Sequence, residues 1–261
     1  MADHSELLVR YRRSREVRFR LNNLLVKMIS KKTMEECGRI LGFFRKGTLF
    51  FNSESETALL MDYCLYYPQP DGRNLVEKYL AKSPPPPGSD EIVALQEMTH
   101  AYYSIFQVIE VERGVGVSVR DFLRGETGFI ADVGFGNTAH CNMMMATRVI
   151  PTEGYLMTGG AGLPVTESAA KRISEEFMRA GDNHEALDFK PTTPQREAEL
   201  AALVIRACLA AGMSSHIAYE EPGSYARPSS GGSEVRRSGR NDPGPCGSGK
   251  KFKTCCGRST A

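Results

Sequence analysis

Apolar residues recur at helical spacing in the first third of the chain. The clearest repeat follows the i, i+3, i+4, i+7 pattern of one helix face and consists of Leu21, Leu24, Leu25 and Met28. Two residue pairs have the spacing of a capping box at a helix start, and they are Thr33 with Glu36 and Ser53 with Glu56. With a further short helix over 74–82, this pattern predicts a helical region over residues 1–82 whose apolar faces form core.

The middle of the chain changes from helical to alternating patterns. Four consecutive prolines lie within Ser83–Gly88 and predict a stiff spacer, after which a helix is expected over 89–101. From 102 to 165, apolar and polar residues alternate in short runs that glycines separate. Five such runs in so short a segment predict a small antiparallel β-sheet or barrel.

Helices return behind the strands, over 166–181 and 193–212. The second is clearly bounded, because Thr193 can cap it, Pro194 suits its first turn and Gly212 follows its end. The predicted fold class is therefore α+β, with helices on both sides of the sheet along the chain. The predicted organisation is a helical region over 1–82, a mixed body over 89–214 with its sheet over 102–165 and helices over 166–212, a flexible linker over 215–240 and a small tail module over 241–257.

Charge is distributed unevenly along a chain of ordinary composition. Hydrophobic residues make up 41% and charged residues 25% of the 261 residues, as in other globular proteins. The net charge of +2 combines +6 over residues 1–32, +6 over 235–261 and −10 between them. Basic ends favour anionic partners such as RNA, ribosomes or acidic protein surfaces, and the alternative is that they fold back on the acidic body.

Nothing in the sequence predicts membrane insertion. Residues 1–20 are crowded with charges and lack the apolar region of a signal peptide. No apolar run reaches the roughly 18 residues of a membrane-spanning helix, and we expect a cytoplasmic protein. Four single cysteines lie in apolar or mixed segments and are expected to be buried, reduced thiols: Cys37, Cys64, Cys141 and Cys208.

The tail module contains a pattern that resembles a phosphate-binding loop. Gly244, Gly249 and Lys250 have the spacing of G-x-x-x-x-G-K. Lys251, however, stands where a magnesium-binding hydroxyl is needed, and the polar segment before Gly244 cannot form the buried strand that leads into such a loop. We therefore reject a nucleotide site there.

The three remaining cysteines of the tail indicate a metal site. Cys246, Cys255 and Cys256 are close along the chain, in a segment too short for a core of its own. Small modules of this kind usually fold because a metal gathers thiolates, and soft thiolates favour zinc. Gly247 and Gly249 permit a tight turn beside the first thiol.

The stretch RNDPGPCGSGKKFKTCCGR closely resembles the SEC-C motif, the zinc-binding tail of the SecA preprotein-translocase ATPase that also ends many bacterial proteins. The resemblance covers about 19 of the 261 residues, and the body resembles no family that we recognise. It implies that Cys246, Cys255 and Cys256 are the second, third and fourth zinc ligands. It also implies docking on a protein partner, such as the SecB chaperone or a ribosome.

The first ligand position of that motif is occupied by Gly244, which has no side chain to coordinate a metal. Zinc accepts three protein ligands and a water molecule, although that pattern is commoner in catalytic sites. Asp242, two residues earlier, or a body residue such as His216 are alternative fourth ligands. The sequence favours a weakened zinc site with water or Asp242 in this position, and a degenerate motif without metal is the alternative.

Three functions remain open on the sequence, and a non-enzyme is favoured because no catalytic motif is present. The first is an adaptor whose zinc-bound tail presents Lys250, Lys251 and Lys253 to an anionic partner. The second is an enzyme or a small-ligand-binding body, which requires a pocket with convergent titratable groups. The third is a thiol redox sensor built on Cys255 and Cys256, whose pKa the neighbouring lysines would lower.

Overall fold

The computed structural model describes residues 4–159, 161–182 and 193–212, and all of them belong to one unit, Met1–Glu220. The helices are α1 (Ser5–Val26), α2 (Lys31–Leu41), α3 (Glu54–Tyr66), α4 (Leu75–Lys82), α5 (Asp90–Met98), α6 (Val133–Thr138), α7 (Glu167–Asp182) and α8 (Pro194–Ala210). The strands are β1 (Phe44–Arg45), β2 (Thr48–Leu49), β3 (Tyr102–Glu112), β4 (Gly116–Asp121), β5 (Thr127–Ala131), β6 (Met144–Pro151), β7 (Leu156–Thr158) and β8 (Leu163–Pro164). The predicted α+β class is confirmed.

Five strands close into a small barrel in the order β3-β4-β5-β7-β6, and β6 pairs again with β3. The long strand β3 makes this closure possible, because its second half pairs with β4 while its first half pairs with β6. All of these pairings are antiparallel except that of β5 with β7, and the short strand β8 adds to β6. Of the two predicted forms, sheet or barrel, the structure has the barrel.

The barrel interior is filled by the apolar residues that the alternating pattern places on one face. Phe106 of β3, Val119 of β4 and Met145 of β6 are all at most 1% exposed. Phe135 of α6 packs into the same cluster. This short helix was not predicted, and it can approach the barrel closely because a Cβ at Gly136 would lie only 2.9 Å from the amide nitrogen of Gly116.

Helices cover the barrel in two groups. Helices α2, α3, α7 and α8 form one core with the outer side chains of β3 and β6, among them Tyr103 and Ala146. Helices α1, α4 and α5 form a second core around Leu25, Val76 and Leu95. Each buried aliphatic side chain contributes about 1.5–3 kcal/mol to the stability of the fold. Apolar packing is therefore the main interaction that holds the helices against the barrel.

The starts of the predicted helices agree with the structure in all but one case. Ser53 caps α3 and Thr193 caps α8 through side-chain oxygens that accept backbone N–H groups, as predicted. The prediction for Thr33 is wrong: Ser30 caps α2 and accepts from the N–H of Thr33, which already lies inside the helix. Ser30 has the extended backbone that an N-cap requires, and serine is among the preferred residues there.

Helix α1 is less amphipathic than the leucine spacing indicates. Leu21 and Leu25 are buried, whereas Leu24 is 42% and Met28 48% exposed. The single apolar face predicted from these four residues is therefore wrong in half of its members. The region also contains an unpredicted hairpin of β1 and β2, which Lys46 and Gly47 join with positive φ angles.

The basic N-terminal helix folds back on carboxylates of the body. Arg13 donates to both oxygens of Asp90 at 2.6 and 2.8 Å, and Arg20 pairs with Glu91 at 3.2 Å. Further pairs of α1 with the body are Arg10 with Glu153 and Arg18 with Glu97. The alternative that the sequence left open, a basic end that binds its own acidic body, therefore describes α1. No helix among the described residues has the length and apolarity needed to cross a membrane.

Candidate functional site

The site residues predicted in the tail lie outside the described residues. They are Asp242, Cys246, Lys250, Lys251, Lys253, Cys255 and Cys256, and the alternative ligand His216 lies outside as well. Within the described ranges, no three His, Cys, Asp or Glu side chains are grouped as a metal would require. The zinc site and its residues therefore remain predictions.

Three of the four single cysteines have the buried positions expected of them. Cys37, Cys64 and Cys208 are fully buried, whereas Cys141 is exposed, contrary to the prediction. A hydrogen bond with Cys64, together with burial, raises the pKa of Cys37, and burial raises the pKa of Cys208 to about 12. Since the thiolate is the reactive form, these buried thiols are chemically inert.

A cavity of about 510 Å³ with several charged side chains in its lining lies where α3, α4 and the first turn of α8 meet the barrel. We call it the Arg148 cavity, and the side chains of its lining that matter here are Tyr66, Glu77, Tyr102, Arg124, Arg148 and Glu197. They come from distant parts of the chain, because Tyr66 ends α3, Arg148 belongs to β6 and Glu197 to α8. The hypothesis of a ligand-binding body requires a pocket with convergent titratable groups, and this cavity is such a pocket. Its position could not be predicted from the sequence.

Arg148 is the central residue of this cavity. Its side chain is 1% exposed, and its Nε donates to Oδ2 of Asp62 at 3.0 Å. The guanidinium carbon lies 4.1 Å from the ring centroid of Tyr66 and 5.6 Å from that of Tyr103, within cation–π range. Burying a cation in this way is unfavourable unless carboxylates surround it.

The ion pairs of Arg148 leave one donor without a hydrogen bond. Its Nη1 forms an ion pair with Oε1 of Glu197 at 3.7 Å, too long for a hydrogen bond, and this buried nitrogen has no hydrogen-bond partner among the described residues. An unsatisfied buried donor costs about 1–3 kcal/mol, and more when it is charged.

Glu197 holds a second arginine at the edge of the cavity. Arg124 donates to Oε2 of Glu197 at 3.4 Å and to the backbone oxygen of Tyr103 at 3.2 Å, and its guanidinium stacks 4.0 Å above the ring of Tyr102. The backbone N–H of Tyr103 donates to Oε1 of Glu197. One carboxylate therefore joins α8 to the barrel and lies between two guanidinium groups.

The electrostatics of the cluster keep Arg148 charged. Burial by itself lowers the pKa of this guanidinium, but Asp62 and Glu197 outweigh burial and raise the pKa above its ordinary value. Burial raises the pKa of Asp62, although Arg148 opposes that shift. Burial also raises the pKa of Tyr102, to about 12.

Sequence reasoning missed this cavity, although one signal was present. Arg148 interrupts the apolar run from Met144 to Ile150, and a charged residue within a buried strand requires a partner. The sequence does not say that its partners are Asp62 and Glu197, which are 86 and 49 positions away in the chain. Only the closed barrel and the packed helices bring them together.

Comparison with known proteins supports the interpretation of the tail. The model of the SEC-C motif matches residues 240–258, which confirms the resemblance and indicates a zinc-binding or interaction role. The chain is 40% identical over 95 residues to the protein translocase subunit SecA of Prosthecochloris aestuarii, and these residues are 36% of this chain and 9% of that protein. Over 26 residues it is 69% identical to the SecA of Symbiobacterium thermophilum, covering 10% of this chain and 3% of the relative.

The body is recognised by a different family model. The chain spans less than a tenth of the length of these SecA proteins, so their activity does not transfer to it. No solved structure is significantly similar to the chain. A model described as a family of unknown function, DUF7986, matches residues 5–190, which include the barrel and the helices before it. Since this match covers most of the chain, the protein belongs to the DUF7986 family and carries a SEC-C motif in its tail.

Proposed function

We propose that this protein is a zinc-binding adaptor whose tail docks on a protein partner, such as a chaperone or a ribosome. The observation that carries the proposal is the SEC-C match over residues 240–258. Similar tails belong to proteins named as translocase subunits, and the SEC-C resemblance implies a docking role.

The donor set of the tail fits zinc with one ligand fewer than usual. Cys246, Cys255 and Cys256 supply three soft thiolates, while Gly244 supplies none. Water or the carboxylate of Asp242 would complete a four-coordinate site. Bound zinc would order a short segment that has no core, and would thereby fix Lys250, Lys251 and Lys253 as a basic surface for an acidic partner.

Zinc content tests the metal half of this proposal. We expect the purified protein to carry about one zinc ion per chain, and the Gly244→Cys variant to hold the same amount more tightly because it restores the fourth thiolate. Elemental analysis before and after dialysis against increasing concentrations of a chelator would measure the zinc content and how tightly the zinc is held. A wild-type protein without zinc beside a zinc-loaded variant would show that the site has decayed.

Pull-downs test the docking half. The matched baits are the full-length protein and its Cys255→Ser/Cys256→Ser variant, which keeps every lysine but loses two thiolates. We expect an abundant partner with the wild type that the variant fails to retain. Identical sets of retained proteins would contradict a docking role for the zinc-bound tail, since charge alone would then explain the retention.

A further inference from the structure

We propose that the Arg148 cavity binds a small zwitterion, a molecule that carries both a carboxylate and an ammonium group. All of the residues that carry this proposal belong to the body, and none belongs to the zinc tail. The inference rests on a buried donor that lacks an acceptor, on the mixed charge of the lining and on the size of the cavity.

The carboxylate of the ligand is assigned to Arg148. Its Nη1 lies 3.7 Å from Oε1 of Glu197, makes no hydrogen bond among the described residues and belongs to a side chain that lines the cavity. Its Nε is already used by Asp62, and Tyr66 covers the guanidinium. A planar guanidinium is the protein group that best matches a carboxylate, and its burial away from water strengthens the bond.

The ammonium group is assigned to the acidic side of the lining, at Glu77. The Oε2 of this residue accepts the backbone N–H of Asn74 at 2.8 Å and so closes the capping box of α4. Its side chain is therefore held in place while a carboxylate charge faces the cavity. Glu126 adds a second carboxylate on the exposed side.

The balance of charges decides between a zwitterion and a simple ion. Among the described residues, the titratable side chains of the lining besides the tyrosines are two arginines, three glutamates and His100. A ligand that was only anionic would satisfy Arg148 but would meet an excess of carboxylates. A ligand that was only cationic would leave Nη1 without an acceptor and would lie close to two guanidinium groups. A zwitterion complements both, because like charges at close range repel strongly in a partly buried site.

The volume also suits a small metabolite. The cavity holds about 510 Å³, within the roughly 300–1,000 Å³ that small-molecule sites occupy. The rings of Tyr66 and Tyr102 form part of its wall and offer apolar surface to a carbon chain between the two charges. Free amino acids and other short aminocarboxylates have these properties.

Ligand-observed NMR with the full-length protein provides the test. The probes are the free L-amino acids, β-alanine and γ-aminobutyrate, each beside its N-acetyl form, which lacks the ammonium, and its amide form, which lacks the carboxylate. We expect at least one unmodified probe to bind, and both of its blocked forms to bind about tenfold more weakly or worse, because each loses a charge-assisted hydrogen bond.

Two matched variants locate the binding. Glu77→Gln removes the negative charge of this one side chain, while glutamine can still close the capping box of α4. Glu56→Gln makes the same change at the equivalent position of α3, where the carboxylate of Glu56 accepts a hydrogen bond from the backbone N–H of Asn52. We expect Glu77→Gln to weaken binding about tenfold and Glu56→Gln to leave it unchanged.

Three results would overturn the proposal. The first is a folded wild-type protein that binds none of the unmodified probes, in which case the cluster only holds the helices on the barrel. The second is equal binding of a probe and both of its blocked forms. The third is equal affinity in the Glu77→Gln and Glu56→Gln variants, which would place binding elsewhere.

Discussion

Arg148 shows at the scale of one residue how this body is assembled. Its guanidinium lies among the charged or aromatic groups of α3, α8 and β3, and all of its methylene groups are buried as well. Asp62 is 5% exposed and has no other charged partner among the pairs of the described residues. The two charges therefore depend on one another, and removal of either leaves the other buried without its main counterion.

Replacement of one member of this pair should be costly. We expect Asp62→Ala to lower the free energy of unfolding by about 3–5 kcal/mol, since breaking a buried ion pair leaves an uncompensated charge. Urea unfolding followed by circular dichroism would measure it. The double variant Asp62→Leu/Arg148→Met should recover much of the loss because both buried charges of this pair are absent and Glu197 keeps its pairing with Arg124. A single variant as stable as the wild type would mean that Glu197 alone balances Arg148.

Helix α1 illustrates the scale of an element. The periodic leucines predicted the helix correctly, because i, i+3, i+4 spacing is a property of the helix itself. The spacing did not say how wide its buried face is, because that width depends on the neighbours α3, α4 and α5. Three ion pairs also join α1 to α5, and only that of Arg18 with Glu97 is largely buried, so charge adds to apolar packing mainly there.

Adjacent leucines in α1 provide a matched test. Leu25 is fully buried and Leu24 is 42% exposed, although both belong to the repeat that predicted one face. We expect Leu25→Ala to destabilise the protein by about 2–5 kcal/mol through loss of burial and creation of a cavity. Leu24→Ala should change the free energy of unfolding by less than about 0.5–1 kcal/mol. Equal losses of stability in the two variants would show that the side chain of Leu24 is buried in solution and would contradict this assignment.

At the scale of the whole molecule, basic and acidic residues that are far apart along the sequence lie next to each other in the fold. The basic N-terminal segment meets carboxylates of α5 through Arg13, Arg18 and Arg20. An RNA-binding role for this end, which the sequence left open, loses support because these arginines already have partners. The prediction of an anionic partner then rests on the basic residues of the tail.

Ionisation of buried tyrosines should destabilise the body at alkaline pH. Burial raises the pKa of Tyr63, Tyr66 and Tyr102 in the folded state, for Tyr102 to about 12, while an unfolded tyrosine titrates near about 10. The folded state therefore holds protons more strongly than the unfolded state. Stability from these phenols is complete below about pH 10 and is lost as the pH rises above it.

Unfolding by urea at a series of alkaline pH values would measure this loss, with tyrosinate absorbance as an independent record of ionisation. We expect a Tyr102→Phe variant to lose stability less steeply because one perturbed phenol is absent. Identical slopes for variant and wild type would place the pH dependence on other groups.

The sequence by itself determined the features that depend on neighbours in the chain. Capping residues such as Ser53 and Thr193, the alternation of the strands and the thiol spacing of the tail are all local, and they identified the α+β class and the SEC-C motif. The local pattern was wrong at the start of α2, where it predicted Thr33 as the cap although Ser30 caps the helix.

The tertiary structure alone decided the closure of the barrel and the position of its cavity. Closure requires β3 to pair with β4 and β6 at once, and the cavity requires α3 and α8 to carry Asp62 and Glu197 to Arg148. These contacts join residues far apart in the chain, and neither periodicity nor motif spacing records such distances. They are set by which apolar faces can be buried together and which buried charges must then be neutralised.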